Sequence, residues 1–157
     1  MHAVRVILLI MIVGVTTPNS EFVIGANDVK IQLADTKNPC GISDSDFEFF
    51  ARVVQAEDCG DENDYENQVA IAQVIWNRVD SPNFPDSVRE VLTESGQFST
   101  VKNGKCNAVA DEHTRRAIID AFLNSPYPSN MVYFRTNFFF KGHKQYKHIS
   151  DNYFSLE

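Results

Sequence analysis

Cysteine and basic residues are scarce in this sequence, and each shortage excludes a class of protein. Three cysteines among 157 residues are too few for a disulfide-rich scaffold, and they form no CxxC or Cys/His spacing that would bind zinc. A formal net charge of −7 argues against a nucleic acid as partner, because binding to phosphates requires a basic surface. The acidic stretch up to Glu66 could bind calcium, but it lacks the spacing and the turn glycine of an EF-hand. We therefore expect neither a metal site nor a cofactor.

The chain also lacks a hydrophobic run long enough to span a membrane comfortably. A short basic start, Met1 to Arg5, is followed by an uninterrupted apolar run from Val6 to Val15, which matches the first two regions of a signal peptide. No small-residue cleavage site follows this run cleanly. We therefore interpret residues 1–20 as a signal peptide or an N-terminal anchor, and we expect an exported protein with no other membrane contact.

The rest of the chain has the composition of one globular domain. Hydrophobic residues make up 43% of the sequence and aromatic residues 11%, which is ordinary globular usage. Residues 21–42 are polar and weakly patterned, so we interpret them as a linker. Residues 43–157 are long enough to bury a core, and we expect them to fold as one domain that acts as a monomer.

Helical patterns come first in that domain and strand patterns last. Apolar spacing and capping residues predict four helices, from Ser43 to just before Gly60, from about Tyr65 to Arg78 as a buried central helix, around Val88 to Leu92, and from Thr114 to Leu123. A polar loop is expected over residues 93–111, and short strands over 131–135, 138–140 and 152–155. This order predicts an α+β fold, mostly helical with a small antiparallel sheet near the C-terminus.

Glu57, at the predicted end of the first helix, is the leading candidate for a catalytic group. The carbonyl-rich end of a helix disfavours negative charge, and burial would do the same, so the carboxyl would stay protonated near neutral pH and act as a general acid. On position alone, a solvated carboxylate beside Asp58, Asp61 and Glu62 is the more ordinary interpretation.

An ordered series of short motifs favours a catalytic role for Glu57 over that of a solvated carboxylate. The motifs are ARVVQAE at 51–57, Gly60, YENQVAIAQVIWNRV at 65–79, SPNFPDSV at 81–88, GQFS at 96–99, Tyr133 with Phe134, and Tyr153 with Phe154. Together they resemble the cell wall hydrolases of the spore-cortex-lytic type, and the resemblance covers about Phe47 to Phe154. Those proteins typically carry Glu-Ala-Arg-Gly-Glu at the end of the first helix, then Tyr-Glu-Gly-Gln-Val-Ala, and a closing Gly-Asn-His-Tyr-Phe.

The resemblance implies a lysozyme-like fold, similar to that of lytic transglycosylases, and an enzyme that degrades peptidoglycan while secreted or associated with the cell wall. Glu57 matches the family's catalytic glutamate. The implied reaction cleaves glycan strands between N-acetylmuramic acid and N-acetylglucosamine, with Glu57 acting first as an acid and then as a base. The substrate would be either the spore cortex, broken down in germination, or the vegetative wall.

Alternatives of other classes stay open at this point. A muramidase that hydrolyses the same bond would need a second carboxylate, for which Glu66 and Asp58 are available. An N-acetylmuramoyl-L-alanine amidase or a non-catalytic wall-binding module would act on the same polymer. The cysteines would also allow a Cys/His peptidase with His113, His143 or His148.

Six residues are expected to line a sugar-binding groove, because aromatic rings stack on sugar faces and polar side chains bond to their substituents. They are Gln97, Phe98, Tyr133, Asn152, Tyr153 and Glu66. Core packing is the alternative for Phe98, and solvation or helix capping is the alternative for Glu66. Asn77 and Arg78 are expected to hold loops in place and not to touch the substrate.

Four departures from the family pattern put loop geometry and substrate fit in question. The loop before Tyr65 is slightly longer than usual, Cys59 replaces an arginine or glycine, Asn67 replaces a glycine, and Asn152 stands where a histidine is usual. None of them removes Glu57.

Two further expectations concern the surroundings of Glu57. Cys59 and Cys106 should lie close together, near enough to pair in an exported protein, because one follows the catalytic helix and the other follows the loop that carries Gln97. The basic stretch from Arg135 to Lys147 should face the same side as Glu57 and hold the carboxylates of an anionic polymer.

Overall fold

The computed structural model describes residues 38–58 and 64–157, and in them helices precede strands, as the sequence predicts. The helices are α1 (Asp44–Glu57), α2 (Tyr65–Asp80), α3 (Val88–Thr93), α4 (Ser99–Lys102) and α5 (Glu112–Asn124), with a 3-10 turn at Lys105–Asn107. The strands are β1 (Met131–Thr136), β2 (Lys144–Ile149) and β3 (Asn152–Leu156). Within the described residues, no helix has both the length and the apolar character needed to cross a membrane. The predicted leader at 1–20, and the linker as far as residue 37, lie outside the described residues.

Four of the helices begin at a side chain that caps the backbone. The capping residues are Ser43 before α1, Asp64 before α2, Ser87 before α3 and Asp111 before α5. Each accepts a hydrogen bond from an amide of the first turn, which has no partner inside the helix. Local sequence therefore determines where these helices start.

Helix α2 lies at the centre of the domain. Residues 67–78 are buried without a break, as the nearly all-apolar pattern predicts. Trp76 of α2 lies between Phe50 of α1 and Phe122 of α5, at ring-centroid distances of 5.2 and 5.1 Å. Its indole Nε1 also donates to the carbonyl of Ile118 in α5, 3.4 Å away. Trp76 thus contacts both outer helices, α1 and α5.

The last turn of α2 holds the start of the sheet. Asn77 Nδ2 donates to the carbonyls of Pro128 and Met131, at 2.8 and 2.9 Å. Arg78 Nε donates to the carbonyl of Val132, at 2.7 Å. The expectation that Asn77 and Arg78 hold loops in place is therefore confirmed.

The strands form an antiparallel sheet in the order β1-β3-β2. Residues opposite each other share a face of the sheet, and the two faces alternate along each strand. The inner face carries Phe134, Thr136, Lys147, Asn152 and Phe154. The contact of Asn152 with Asn67 of α2 shows that this face is turned towards the helices. The outer face carries Tyr133, Arg135, Tyr153 and Ser155. The predicted α+β class, mostly helical with a small antiparallel sheet near the C-terminus, is confirmed.

The prediction of a strand over residues 138–140 is wrong. The strand between β1 and β3 in the sequence is β2 at Lys144–Ile149. Residues 138–140 run across the outer face instead, where Phe139 packs edge-on against Tyr153 at 5.0 Å and the amide of Phe140 donates to Ser155 Oγ at 3.3 Å. This apolar run packs on the face of the sheet and does not add a strand to it. Strand β2 is mostly exposed, so it carries little apolar pattern for a sequence to reveal.

The polar loop predicted over residues 93–111 contains the short helix α4 and the 3-10 turn. Thr100 is the buried residue of α4. A helix this short, without an apolar face, leaves no periodic signal in the sequence.

Asn77 provides a test of how α2 fixes the sheet. Asn77→Ala should lower the free energy of unfolding by about 2–3 kcal/mol, because it removes a buried donor from two backbone carbonyls. Urea denaturation measures this loss. Asn124→Ala, at the exposed end of α5, is the control and should change stability by less than about 0.5 kcal/mol. Equal losses in the two variants would contradict the role of Asn77.

Candidate active site

Glu57 is the last residue of α1, and its side chain reaches the short helix α4. Its Oε1 accepts a hydrogen bond of 2.5 Å from Thr100 Oγ1. Thr100 is 4% exposed, and the ring of Phe98, which precedes α4, is buried in the core. The partner of Glu57 is therefore held by core packing, while Glu57 itself is only partly buried.

Burial raises the pKa of the Glu57 carboxyl above its ordinary value. The hydroxyl and the backbone amide of Thr100 oppose this change, as does the positive charge of Lys105, but the net direction remains upward. The protonated form is thus favoured relative to a solvated glutamate. A protonated, partly accessible carboxyl is the chemical requirement for a general acid.

Asp58 follows directly, and both of its carboxylate oxygens are occupied. Oδ1 accepts from Asn67 Nδ2 at 2.7 Å, and Oδ2 accepts from Gln68 Nε2 at 2.9 Å. Burial raises the pKa of Asp58, and these two amide donors act in the opposite direction. The end of α1 is thereby tied to the first turn of α2.

Asn152, a predicted groove residue, extends this connection to the sheet. Its Nδ2 donates to Asn67 Oδ1 at 3.2 Å, and Thr136 Oγ1 donates to its Oδ1 at 3.4 Å. The side chain is 2% exposed. Asn152 therefore contacts protein groups on the inner face of the sheet and has almost no surface to offer a ligand.

Glu66 lies at the exposed edge of the same region. Its Oε1 accepts from Lys147 Nζ at 2.5 Å and from the Tyr127 hydroxyl at 3.4 Å. The bond to Lys147 lowers the pKa of Glu66, so this carboxylate stays ionised. Its side chain is 55% exposed, so it remains accessible from solvent.

The two residues of the Gln-Phe motif have different environments. Gln97 is exposed, whereas Phe98 is 4% exposed and lies beneath the guanidinium of Arg78 and beside the ring of Phe134. Phe98 is packed in the core, which was the alternative to sugar binding for this residue, and it positions α4. Gln97 is the member of the pair that can meet a ligand.

Tyr133 and Tyr153 lie on the outer face of the sheet, opposite to Asn152. The Tyr153 ring stacks on His148, and the Tyr133 ring is tilted against His143, each at a centroid distance of 4.0 Å. The structure therefore brings Glu57, Glu66 and Asn152 to one region, between α1, α2 and the inner face, and places the two tyrosines on the other face of the sheet.

Three residues of this region are not among the predicted site residues. Thr100 and Lys105 lie in the segment predicted to be a loop, and Gln68 belongs to the motif at 65–79 without a predicted role. The only signal for Thr100 was its place directly after the GQFS motif.

Cysteines and histidines do not form a common site in the part of the chain that is described. Cys106 is buried in the 3-10 turn, while His143 and His148 pack against Tyr133 and Tyr153 on the outer face of the sheet. Residues 38–58 and 64–157 also contain no group of three or more His, Cys, Asp or Glu side chains arranged to hold a metal. Cys59 lies outside the described residues, so its pairing with Cys106 stays a prediction.

Comparison with known proteins gives a family match over most of the domain. The model of the Cell Wall Hydrolase family matches residues 62–155. The chain is 44% identical over 94 residues to the spore cortex-lytic enzyme of Halalkalibacterium halodurans, which covers 60% of this chain and 28% of that enzyme. It is 39% identical over 99 residues to the spore cortex-lytic enzyme of Bacillus subtilis, covering 63% and 32%. The chain thus spans about a third of the length of these relatives.

Solved structures agree with the fold. The catalytic domain of the germination-specific lytic transglycosylase SleB from Bacillus anthracis has a TM-score of 0.63 at 29% identity, covering 75% of this chain and 99% of that domain. The catalytic domain of the Bacillus cereus SleB protein has a TM-score of 0.62 at 29% identity, covering 76% and 96%. The predicted lysozyme-like fold, similar to lytic transglycosylases, is confirmed.

The bond from Thr100 predicts how the Glu57 carboxyl titrates. Because that hydroxyl favours the ionised form, Thr100→Val should raise the pKa of Glu57 further, and the protonated form should persist to higher pH. An NMR titration of the side-chain carboxyl carbon measures this value directly. Thr100→Ser keeps the hydroxyl and should stay close to the parent. An unchanged or lowered pKa in Thr100→Val would contradict the interpretation of this contact.

Proposed function

This chain belongs to the cell wall hydrolase family, and from that membership we propose that it is a lytic transglycosylase that cleaves peptidoglycan between N-acetylmuramic acid and N-acetylglucosamine. The observation that carries the proposal is the carboxyl of Glu57 at the end of α1, whose pKa is raised by burial and whose Oε1 accepts a hydrogen bond from Thr100. The names of the related enzymes and catalytic domains support the same chemistry.

Glu57 serves twice in the proposed reaction. Its protonated carboxyl first gives a proton to the oxygen that leaves with N-acetylglucosamine, and the bond from this oxygen to the muramic acid C1 breaks. The resulting carboxylate then takes the proton of the muramic acid 6-hydroxyl while that oxygen bonds to C1. An anhydro ring closes, and Glu57 is protonated again, ready for another cycle.

The two carboxylates considered for simple hydrolysis, Asp58 and Glu66, favour the single-residue scheme by the contacts that they already make. Hydrolysis by a pair of carboxylates needs a second group free to activate water or to bond to the sugar. Both oxygens of Asp58 accept bonds from amides of α2. Glu66 is bound to Lys147 and Tyr127. A muramidase mechanism that used Asp58 would have to break one of these bonds, and one that used Glu66 would have to act beside the positive charge of Lys147.

The groove is proposed to run past Gln97 and Glu66, the two accessible residues among those predicted to bind substrate. Gln97 can donate and accept hydrogen bonds with N-acetyl groups, and Glu66 can accept from sugar hydroxyls. Asn152 and Phe98 are too buried to touch a glycan and act by holding neighbouring groups. Tyr133 and Tyr153 lie on the outer face of the sheet and are not included in this proposed groove.

The setting of the reaction follows from the sequence and the family. We propose that residues 43–157 are the catalytic domain and work as a monomer without a cofactor, and that residues 21–42 link this domain to a signal peptide or anchor at 1–20. The enzyme would act outside the cell or on the wall. Its substrate would be spore cortex, because the related enzymes are named for that material.

Mass spectrometry of digested peptidoglycan tests the proposal against its alternatives. Anhydro-muramyl ends are the expected products. Reducing muramic acid ends would indicate a muramidase, free stem peptides would indicate an amidase, and the absence of products with retained binding would indicate a wall-binding module. Any of these three results would overturn the transglycosylase assignment.

Glu57→Gln should lower wall-degrading activity by at least about a hundredfold, because glutamine cannot transfer the proton. Thermal stability should stay the same or rise slightly near neutral pH. Folding raises the pKa of Glu57, so the ionised side chain is less stable in the folded protein than in the unfolded chain, and glutamine removes this penalty. Glu112→Gln, at a side chain that is 90% exposed, is the control. Activity of Glu57→Gln within about tenfold of the parent would exclude Glu57 as the acid.

The basic stretch from Arg135 to Lys147 is divided between the two faces of the sheet. Lys147 bonds to Glu66 on the inner face, whereas Arg135 lies on the outer face against the rings of Phe138 and Phe140. The expectation that the whole stretch faces one side is therefore wrong, because residues alternate between faces along a strand.

The exposed lysines of this stretch still predict a salt-dependent attraction to the anionic polymer. Lys141→Gln with Lys144→Gln should weaken binding to insoluble peptidoglycan at low ionic strength and have little effect at high salt. Arg52→Gln with Arg89→Gln changes the net charge equally on the surface of α1 and α3, and should bind like the parent. Pull-down at two salt concentrations measures the difference. Equal binding by both double variants at low salt would mean that these lysines are merely solvated.

A further inference from the structure

Three side chains form an unbroken hydrogen-bond chain between the end of α1, the first turn of α2 and the start of β3. Asp58 Oδ1 accepts from Asn67 Nδ2 at 2.7 Å, and Asn67 Oδ1 accepts from Asn152 Nδ2 at 3.2 Å. Asn67 and Asn152 are 1% and 2% exposed, so water is poorly placed to replace a lost partner. Each member of the chain therefore depends on the others.

The three side chains are complementary as donors and acceptors. A glycine at position 67 would have no side chain to donate to Asp58, and an alanine at position 58 would have no acceptor for Asn67. Asp58, Asn67 and Asn152 thus fit together as one structural unit.

This unit ends next to the proposed acid. Asp58 is the C-cap of α1, where its amide still donates to the Val54 carbonyl at 3.0 Å while its φ and ψ of −79° and 79° leave the helix. Helix ends fray when nothing holds them. The bonds to Asn67 and Gln68 hold this one, and consecutive Cα atoms are only about 3.8 Å apart. Fraying at Asp58 would therefore carry Glu57 away from Thr100.

We propose that Asp58 is the positioning residue of Glu57, and that it acts through its hydrogen bonds and not through its charge. The inference rests on the proposed function, in which Glu57 is the acid. A neutral side chain of the same shape can keep the bonds. Asp58→Asn would present an amide nitrogen towards Gln68, whose Oε1 has no hydrogen-bond partner in the described structure. Turning the Gln68 amide over lets that oxygen accept the new bond.

Steady-state kinetics on soluble glycan fragments give the first test. Asp58→Ala should lower kcat at least tenfold and leave KM within about twofold, because it displaces the acid without changing the groove. Asp58→Asn should keep kcat within about threefold of the parent. Asp86→Ala, at an exposed aspartate before α3, is the matched control and should leave kcat unchanged. If Asp58→Asn loses as much activity as Asp58→Ala, the charge is what matters and the proposal is overturned.

Amide hydrogen exchange gives a readout that needs no activity. Exchange in the last turn of α1, residues 54–57, should be faster in Asp58→Ala and like the parent in Asp58→Asn. Unchanged exchange in Asp58→Ala would overturn the proposal. Should the parent release no glycan product, the proposed function fails, while the exchange rates still decide whether Asp58 holds the end of α1.

Asp58→Ala leaves buried amides unpaired and can therefore fold poorly. A double-mutant cycle with Asn67 then tests whether the two residues act together. Asn67→Ala already removes one of the two hydrogen bonds that hold Asp58 to α2, and the bond from Gln68 remains. Adding Asp58→Ala to it should therefore lower kcat and the melting temperature less than Asp58→Ala does in the parent. Equal losses in the two backgrounds would show that the residues act independently, which would also overturn the proposal.

Discussion

The burial of helix α2 along its length is the constraint on which the rest of the structure depends. A helix without a solvent-facing side brings its polar residues into the core, and there each of them needs a partner. Near its start, Asn67 and Gln68 find that partner in Asp58 at the end of α1. Near its end, Asn77 and Arg78 find theirs in the backbone around β1. The same helix therefore builds the core and sets where the candidate site and the sheet lie.

Three carboxylates close together in sequence have been given different properties by their surroundings. Glu57 is partly buried, and its pKa is raised. Asp58 is also partly buried, but two amides occupy its oxygens. Glu66 is exposed, and Lys147 keeps its pKa low. The three carboxyl groups thus differ in pKa, in exposure and in hydrogen bonding, which is how environment assigns different roles to the same chemical group.

The sequence predicted the helices well because capping residues and apolar spacing are local signals. It predicted Glu57 only through the family resemblance, since its position at a helix end did not distinguish it from neighbouring acids. The groove residues were harder to place, because a Tyr-Phe pair on a strand puts one ring on each face and nothing local says which face is inner. Thr100 was missed for a related reason: a polar residue in a four-residue helix is identified by the tertiary contact that buries it.

Trp76 makes the packing of this domain visible to spectroscopy. It is the single tryptophan of the sequence, it is 4% exposed, and it lies between rings of α1 and α5. Indole fluorescence responds to the polarity around the ring, so emission from this one residue reports whether the three helices are docked. A variant that is inactive but keeps the emission of the parent has a defect confined to the chemistry, and one whose emission moves to longer wavelength has lost its core.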